Sequence, residues 1–584
     1  MQIEFRKCGG TRNRGTAEPP QYSQPRAPRH SSMESTAARF SPTGGGASTP
    51  LRVQYVAKNL EKRSAVTSRS TATPASVTVV QDDKGGGILA KAARKLGRGD
   101  CVLQCCAAGI AIESQFRASR CAYCAEPCQH DSESDTLCRE CGVVAACSVC
   151  RSNGADKWHS SSGECQALRA LVKAFSVVFG LMEEGGADSA SINFADLAKE
   201  IDSSYILTVR LLHRRWHDEK GRSSIEGDMS IMPAIDWKLF DSLHKTNVRS
   251  GQYDLAITAL CQEMRDEDNS TSRSNDCLVP VITKDAFDDV LERVVGCGHA
   301  VVDLTLGLGS QTIGRAIFAE HSFYNHSCCP NAFISCNIGD GATTAAADSS
   351  PCCALVASVH CLSNIDSGDD VCLSYIPTSG LSRIERQKLL LDGYHFECRC
   401  RACRLDEEDA TAKEWDRCLA VPEGSDLESV RGVQYAANQI FMDSDDKEEI
   451  ERSIGIVRMV ANGIKRQGIA SSHECAMEVH RLLSVGYAAL NRFDDAIGEH
   501  RTFFSLAGKI AAGLFDPIAL STQHIEFALV MHKNGDAEGE LSELKAAEDL
   551  ARTALGRGHP FVVAVERKLA TLGETTSTKR QKVR

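Results

Sequence analysis

The sequence predicts an α+β multidomain chain: a β-rich body split by a cysteine-rich module and a helical insert, followed by a second cysteine cluster and an all-α C-terminal region. Three observations lead there. The 584 residues suffice for more than one core. The 27 cysteines concentrate in two zones, eleven from Cys101 to Cys165 and eleven from Cys297 to Cys403. β-branched runs broken by glycine precede the first zone and fill the second, whereas beyond Cys403 apolar residues recur at helical spacing.

In chain order, residues 1–75 are rich in Ser, Thr, Arg, Pro, Gly and Ala without either regular period, and are expected to be a largely disordered tail. Their Arg and Ser content also suits an organelle transit peptide, although Glu4, Glu18 and Glu34 count against it. Residues 76–120 read as short strands: Val77-Thr78-Val79-Val80, then Ile88-Leu89-Ala90 after three glycines, then Cys101-Val102-Leu103. Residues 121–165 hold the first cysteine module. Residues 166–295 show helical spacing, as in Leu168, Leu171, Val172, Phe175 and Ile206, Val209, Leu212. A second β zone, 296–380, is interrupted by a loop from Gly339 to Ser350, and the second thiol cluster occupies 381–405. Residues 406–574 are helical. Two similar corners, at Asn491 and Asn534 and about 42 residues apart, suggest stacked TPR-like hairpins, with a plain bundle as the alternative. Residues 575–584 form a basic tail in which Lys579-Arg580-Gln581-Lys582 resembles a nuclear import signal, so nucleus and cytoplasm are the expected compartments.

A formal charge of -11 argues against a phosphate-tracking surface, and His213-Arg214-Arg215 is the nearest thing to a basic recognition helix. Direct nucleic-acid binding is not expected. No uncharged apolar run reaches the length of a membrane-spanning helix. Clustered thiols in so long a chain read as metal ligands in a reducing compartment.

Cys121-x2-Cys124, Cys138-x2-Cys141, Cys147-x2-Cys150, His159 and Cys165 offer eight donors, enough for two tetrahedral zinc sites, because thiolates two residues apart can grip one ion across a tight turn. Downstream, Cys398-x-Cys400-x2-Cys403 offers three thiolates and lacks a fourth, for which Cys328 is the natural candidate. Cys328 closes Asn325-His326-Ser327-Cys328, a segment too polar for an ordinary buried strand.

The first module, with Trp158 beside His159, resembles the MYND zinc finger. That resemblance implies one ion on Cys121, Cys124, Cys147 and Cys150 and another on Cys138, Cys141, His159 and Cys165. Cys128 is spare, the third pair is one residue tighter than usual and the His-to-Cys gap two residues longer. Asn-His-Ser-Cys-x-Pro-Asn from Asn325 to Asn331, then Ser374-Tyr375, then Tyr394-x-Phe396-x-Cys398-x-Cys400-x2-Cys403, resembles the SET domain with its post-SET zinc site. A finger inserted into a split SET domain, with a helical C-terminus, is similar to the SET and MYND domain (SMYD) family over roughly residues 76–575.

The resemblance implies a protein-lysine methyltransferase that uses S-adenosylmethionine and holds three zinc ions, with histones or other lysine-bearing proteins as substrates. Tyr375 would be catalytic. Asn325 and His326 would hold the methyl donor, with Gly85, Gly86 and Gly87 along its other side, Phe396 against its adenine and Tyr394 lining the lysine channel. Gly97-Arg98-Gly99 spells the family's donor loop, but Gly85 to Ala90 matches its turn and strand better. Where the family has an Asn that contacts the donor, this chain has Gly298, for which His299 is the candidate substitute. The rival expectation is a non-catalytic adaptor whose finger and C-terminal helices recruit partners.

Overall fold

A computed structural model describes residues 76–81, 88–128, 137–178, 194–220, 235–246, 254–270, 282–304, 311–338, 355–404, 410–510 and 514–582. The tail expected over 1–75, the glycines 85–87 and the loop 339–350 lie outside the described residues.

Strand β1 (Val77–Gln81) pairs antiparallel with β2 (Ile88–Ala92), and β3 (Cys101–Cys106) and β4 (Gly109–Ile112) follow. Next come the cysteine module and eight described helices: α1 (Ser148–Ser152), α2 (Ala155–Ser161), α3 (Glu164–Val178), α4 (Phe194–Ala198), α5 (Ser203–Glu219), α6 (Trp237–Asp241), α7 (Asp254–Ser270) and α8 (Lys284–Cys297). Strands resume with β5 (Gly298–Asp303), β6 (Gln311–Ile317), β7 (Asn325–His326), β8 (Ala332–Asn337), β9 (Val356–Cys361) and β10 (Cys372–Leu373).

The pairing shows how the body is split. β4 lies beside β6, with Ile110 opposite Ala316, and β3 lies beside β9, with Cys105 opposite Ala357. Strands that precede the insert are thus completed by strands that follow it, in three-stranded antiparallel sheets ordered β4-β6-β5 and β3-β9-β8. One buried core runs through Leu96 and Val359 of the body, Cys121 and Cys147 of the module and Leu168, Leu207, Phe240 and Phe287 of the insert. The cysteine module is therefore packed into the body.

Helix α9 (Arg383–Tyr394) opens on a capping box, in which the Ser382 hydroxyl takes the Glu385 N–H and the Glu385 carboxylate takes the Ser382 N–H. After α10 (Ala410–Cys418) come α11 (Leu427–Asp443), α12 (Lys447–Gln467), α13 (Glu474–Ala489), α14 (Phe493–Ala507), α15 (Pro517–Lys533), α16 (Ala537–Leu555) and α17 (Pro560–Lys582). Asp426, Asp446, His473, Asp516 and Asp536 cap the starts of α11, α12, α13, α15 and α16 with their side chains. α13 ends at Ala489 and α15 at Lys533, while α14 begins at Phe493 and α16 at Ala537, so the corner recurs after 44 residues, slightly more than the sequence strings suggest. Both corners turn through a left-handed residue, Asn491 in one and Gly535 in the other. At the same period His480 bonds Glu499 and His524 bonds Glu543, each at 2.7 Å. Among the described residues no helix is long and apolar enough to cross a membrane.

Candidate metal centres and active site

The structure brings the predicted metal ligands into three groups of four: Cys121, Cys124, Cys147 and Cys150; Cys138, Cys141, His159 and Cys165; and Cys328, Cys398, Cys400 and Cys403. Within each group the donor atoms lie within 4.8 Å of one another. Tetrahedral zinc with bonds of about 2.3 Å separates its sulfurs by about 3.8 Å. The Cys124–Cys147 and Cys124–Cys150 sulfur pairs are at 3.7 and 3.6 Å, Cys138–Cys165 at 3.5 Å, and Cys328 lies 3.5 Å from Cys403 and 4.0 Å from Cys398. The His159 Nε2 atom is 3.4 Å from the Cys141 sulfur. Donor chemistry and spacing fit three zinc ions.

Local backbone explains the grip. Cys147 caps α1, its sulfur accepting the Cys150 N–H at 3.5 Å, which sets those two thiols one turn apart. Gly142, after Cys141, has φ +68°, and a Cβ there would lie 2.4 Å from the Phe194–Ala195 backbone, so the knuckle closes against the insert only with glycine.

Residues outside the predicted set support the ligands. Glu164, buried, takes His159 Nδ1–H at 2.9 Å, leaving Nε2 for the metal, and also binds Arg210 Nε at 2.8 Å and the Tyr123 hydroxyl at 3.0 Å. Arg210 in turn donates to the carbonyls of Ile110 in β4 and Ala122 beside Cys121, both at 2.6 Å. One carboxylate thus joins the finger to α5 and the sheet. Its sequence signal was its place five residues after a ligating His and next to Cys165. Arg386, buried, lies beside the Cys328 and Cys403 sulfurs and donates to the carbonyls of Leu381 and Ala402 at 2.5 and 3.1 Å. The insert's His213-Arg214-Arg215 is engaged internally: His213 on the Ser162 carbonyl, Arg214 on Asp218, Arg215 on Glu219 and Asp241.

The third group adjoins the tyrosine pocket. Asn331 of the Pro-Asn turn accepts the Cys372 N–H and donates to the Asp370 carbonyl, both at 2.8 Å, and so aligns β10 parallel to β7, with Leu373 opposite His326. Tyr375 follows two residues later. Its hydroxyl donates to the Tyr324 carbonyl at 2.6 Å, its N–H to His326 Nδ1 at 3.0 Å, and its carbonyl accepts the Tyr394 hydroxyl at 3.0 Å. Burial pushes the Tyr375 hydroxyl above its ordinary range, keeping it neutral. Burial likewise pulls His326 down to about 4. At the end of α9, His395 adopts a left-handed conformation that turns the chain toward Phe396, whose ring centroid is 6.0 Å from His326 and 6.4 Å from Tyr375. Tyr394 and Tyr375 are 5.2 Å apart, and Asn325, exposed, sits opposite Cys372. Tyr375, His326, Tyr394 and Phe396 are thus brought together.

The chain is similar to several curated proteins. N-lysine methyltransferase SMYD2 of Mus musculus is 30% identical over 132 residues, 22% of this chain and 25% of that protein. SMYD2 of Gallus gallus is 31% identical over 133 residues, with the same coverage. Protein-lysine N-methyltransferase SMYD4 of Mus musculus is 24% identical over 197 residues, 32% of this chain and 22% of that protein. Over these stretches the chain is similar to SMYD proteins. It spans about a quarter of the length of the curated relatives it matches. No protein-family model matches it. A solved structure titled as the SET domain of LSMT bound to lysine and AdoHcy covers 79% of this chain and 90% of its own, at 11% identity and a TM-score of 0.28, too loose a likeness to carry weight.

Two predicted positions read differently in three dimensions. A Cβ at Gly298 would fall 2.3 Å from the Val294 carbonyl oxygen, so the α8–β5 junction has no room for an Asn side chain at this position. The His299 ring packs 5.9 Å from Phe318 and 6.0 Å from His321, in a cluster behind Tyr324.

Proposed function

We propose that this chain is an S-adenosylmethionine-dependent protein-lysine N-methyltransferase acting on histones or other proteins, with C-terminal helices that form a TPR-like repeat array. The observation that carries the reading is the triple hold on Tyr375, through its hydroxyl, its amide and its carbonyl, in a pocket of aromatic rings beside a four-cysteine cluster. The relatives' names point the same way.

When bound, S-adenosylmethionine would supply a sulfonium methyl group, to which the lysine nitrogen bonds in line as the sulfur leaves as a neutral thioether, without any protein nucleophile. The protein's task is alignment, exclusion of water and delivery of a neutral lysine amine. Burial among Tyr375, Tyr394 and Phe396 disfavours the charged ammonium. Tyr375 stays a phenol whose proton points at the Tyr324 carbonyl, which leaves its oxygen free to attract the polarised methyl group or to accept from the amine. Asn325, with Phe396, would hold the donor. Both ring nitrogens of His326 are engaged, so it would meet the donor through its backbone or ring face.

The test is labelled-methyl transfer to histones and to a cell extract. Wild type should label, and Tyr375→Phe should lose at least about 100-fold, the range for a residue acting in the transition state. Absence of transfer by zinc-loaded wild type would favour the adaptor reading, for which the closed Gly298 junction is the specific argument.

A further inference from the structure

We infer that His326 is a positioning residue that ties Tyr375 to the third metal cluster. A backbone N–H can only donate, so the Tyr375 amide 3.0 Å from Nδ1 requires that nitrogen to be bare. The ring proton then sits on Nε2, which lies 3.3 Å from the Cys328 sulfur. One imidazole therefore receives from the peptide of Tyr375 and donates to a ligand of the cluster.

The bond to Cys328 is local in sequence, but the one to Tyr375 spans 49 residues. The parallel register of β7 and β10 puts His326 level with Leu373, and the Ser327 N–H on the Leu373 carbonyl at 2.8 Å locks that register. The ring is then flanked by Tyr375 at 5.4 Å and Phe396 at 6.0 Å, which fix its plane. A second tie runs in parallel: the Tyr394 hydroxyl holds the Tyr375 carbonyl, and Tyr394 lies four residues before Cys398. The peptide units on either side of the Tyr375 Cα are thus referred to the same four sulfurs, one through an imidazole and one through a short piece of chain. A hydrogen bond to a ligating sulfur also draws charge from it, so His326 should tune the cluster as the cluster steadies Tyr375.

The bonds themselves depend only on the metal cluster; their value for catalysis rests on the methyltransferase reading, and the experiment separates the two. The full chain is loaded with 113Cd and labelled with 15N-tyrosine. Three cadmium resonances are expected, the third assigned by its loss in Cys403→Ser, and the Tyr375 amide is assigned by its loss in Tyr375→Phe. His326→Asn keeps an acceptor near Nδ1 and removes the donor to Cys328. It should shift the third cadmium resonance alone, weaken metal affinity at that site about 10- to 100-fold, and leave the Tyr375 amide in place. His326→Gln keeps a donor near Nε2, and should hold the third resonance while moving the Tyr375 amide. Shifts in all three cadmium signals, or an unmoved third signal with His326→Asn, would overturn the assignment. These readouts stand whether or not the chain transfers methyl groups; if it does, His326→Asn should lower kcat more than it raises KM.

Discussion

At the scale of single residues, the finger depends on a carboxylate as much as on its thiols. Glu164 compensates a buried guanidinium and orients a ligating imidazole at once, so its removal strands Arg210 in the interior. Leaving one partner of a buried pair uncompensated costs about 3 to 5 kcal/mol. Glu164→Ala should lower the unfolding free energy by that amount and release the ion held by His159 first, as denaturant titration and zinc counting would read. A loss below about 1 kcal/mol would mean that water solvates Arg210 in place of the carboxylate. The ligands themselves were legible because zinc pairs are local: Cys121 with Cys124 and Cys398 with Cys400 announce themselves by spacing. Glu164 stands only five residues after His159, but its wider role was not legible, because Tyr123 and Arg210 lie 41 and 46 residues away. The ring orientation of His326 was hidden too, since spacing places a backbone and only the packed fold turns the imidazole toward sulfur.

At the scale of elements, helices α11 to α16 lie where apolar spacing placed helix, and their corners recur after 44 residues against about 42 in the sequence strings, because exposed faces and Asp caps are written locally. What periodicity cannot show is which polar side chains the hairpins enclose. His500 on α14 is buried against Phe527 at 4.8 Å, with both ring nitrogens unpartnered. Burial, then Arg481 and His524, pulls its pKa from 6.5 to about 4. The folded value lies below the unfolded one, so the unfolded chain binds the extra proton between those values. The stability contributed by the neutral ring is complete above pH 6.5 and is lost as pH falls through about 4, at most about 3 kcal/mol. His299, His360 and His559 are lowered to about 4, by burial first, and act in the same direction. Melting temperature should therefore fall steadily from pH 7 to pH 5. His500→Phe should flatten part of that slope, and an unchanged slope would show that this imidazole is hydrated when folded.

At the scale of the whole molecule, the third cluster occupies a joint. Cys328, Cys398 and Cys403 share a buried core with Leu390 of α9 and with Met477, Phe503 and Leu506 of α13 and α14, while the helical hairpins keep a separate core around Ile454, Leu482 and Phe527. The order of β-like and cysteine-rich zones suggested a split body but gave no sign of this joint, which unites residues as far apart as Cys328 and Leu506. The arrangement has a thermodynamic consequence. With all ions bound, the shared core couples body and hairpins, so calorimetry should show one main transition. Cys403→Ser leaves two complete four-donor groups and should retain two zinc ions. The hairpins would then meet the body mainly through the smaller core in which Ile518, Ala551 and Leu555 pack with Leu304, Phe333 and Leu362, and the weakened coupling should separate their transition from the body's. A Cys150→Ser control disturbs the first group, which packs within the body core, and should lower the body's transition without splitting the hairpins from it. If Cys403→Ser melted as a single unit with three ions still bound, the third group would be neither a zinc site nor a joint, and the support it lends to Tyr375 would have to come from the protein chain alone.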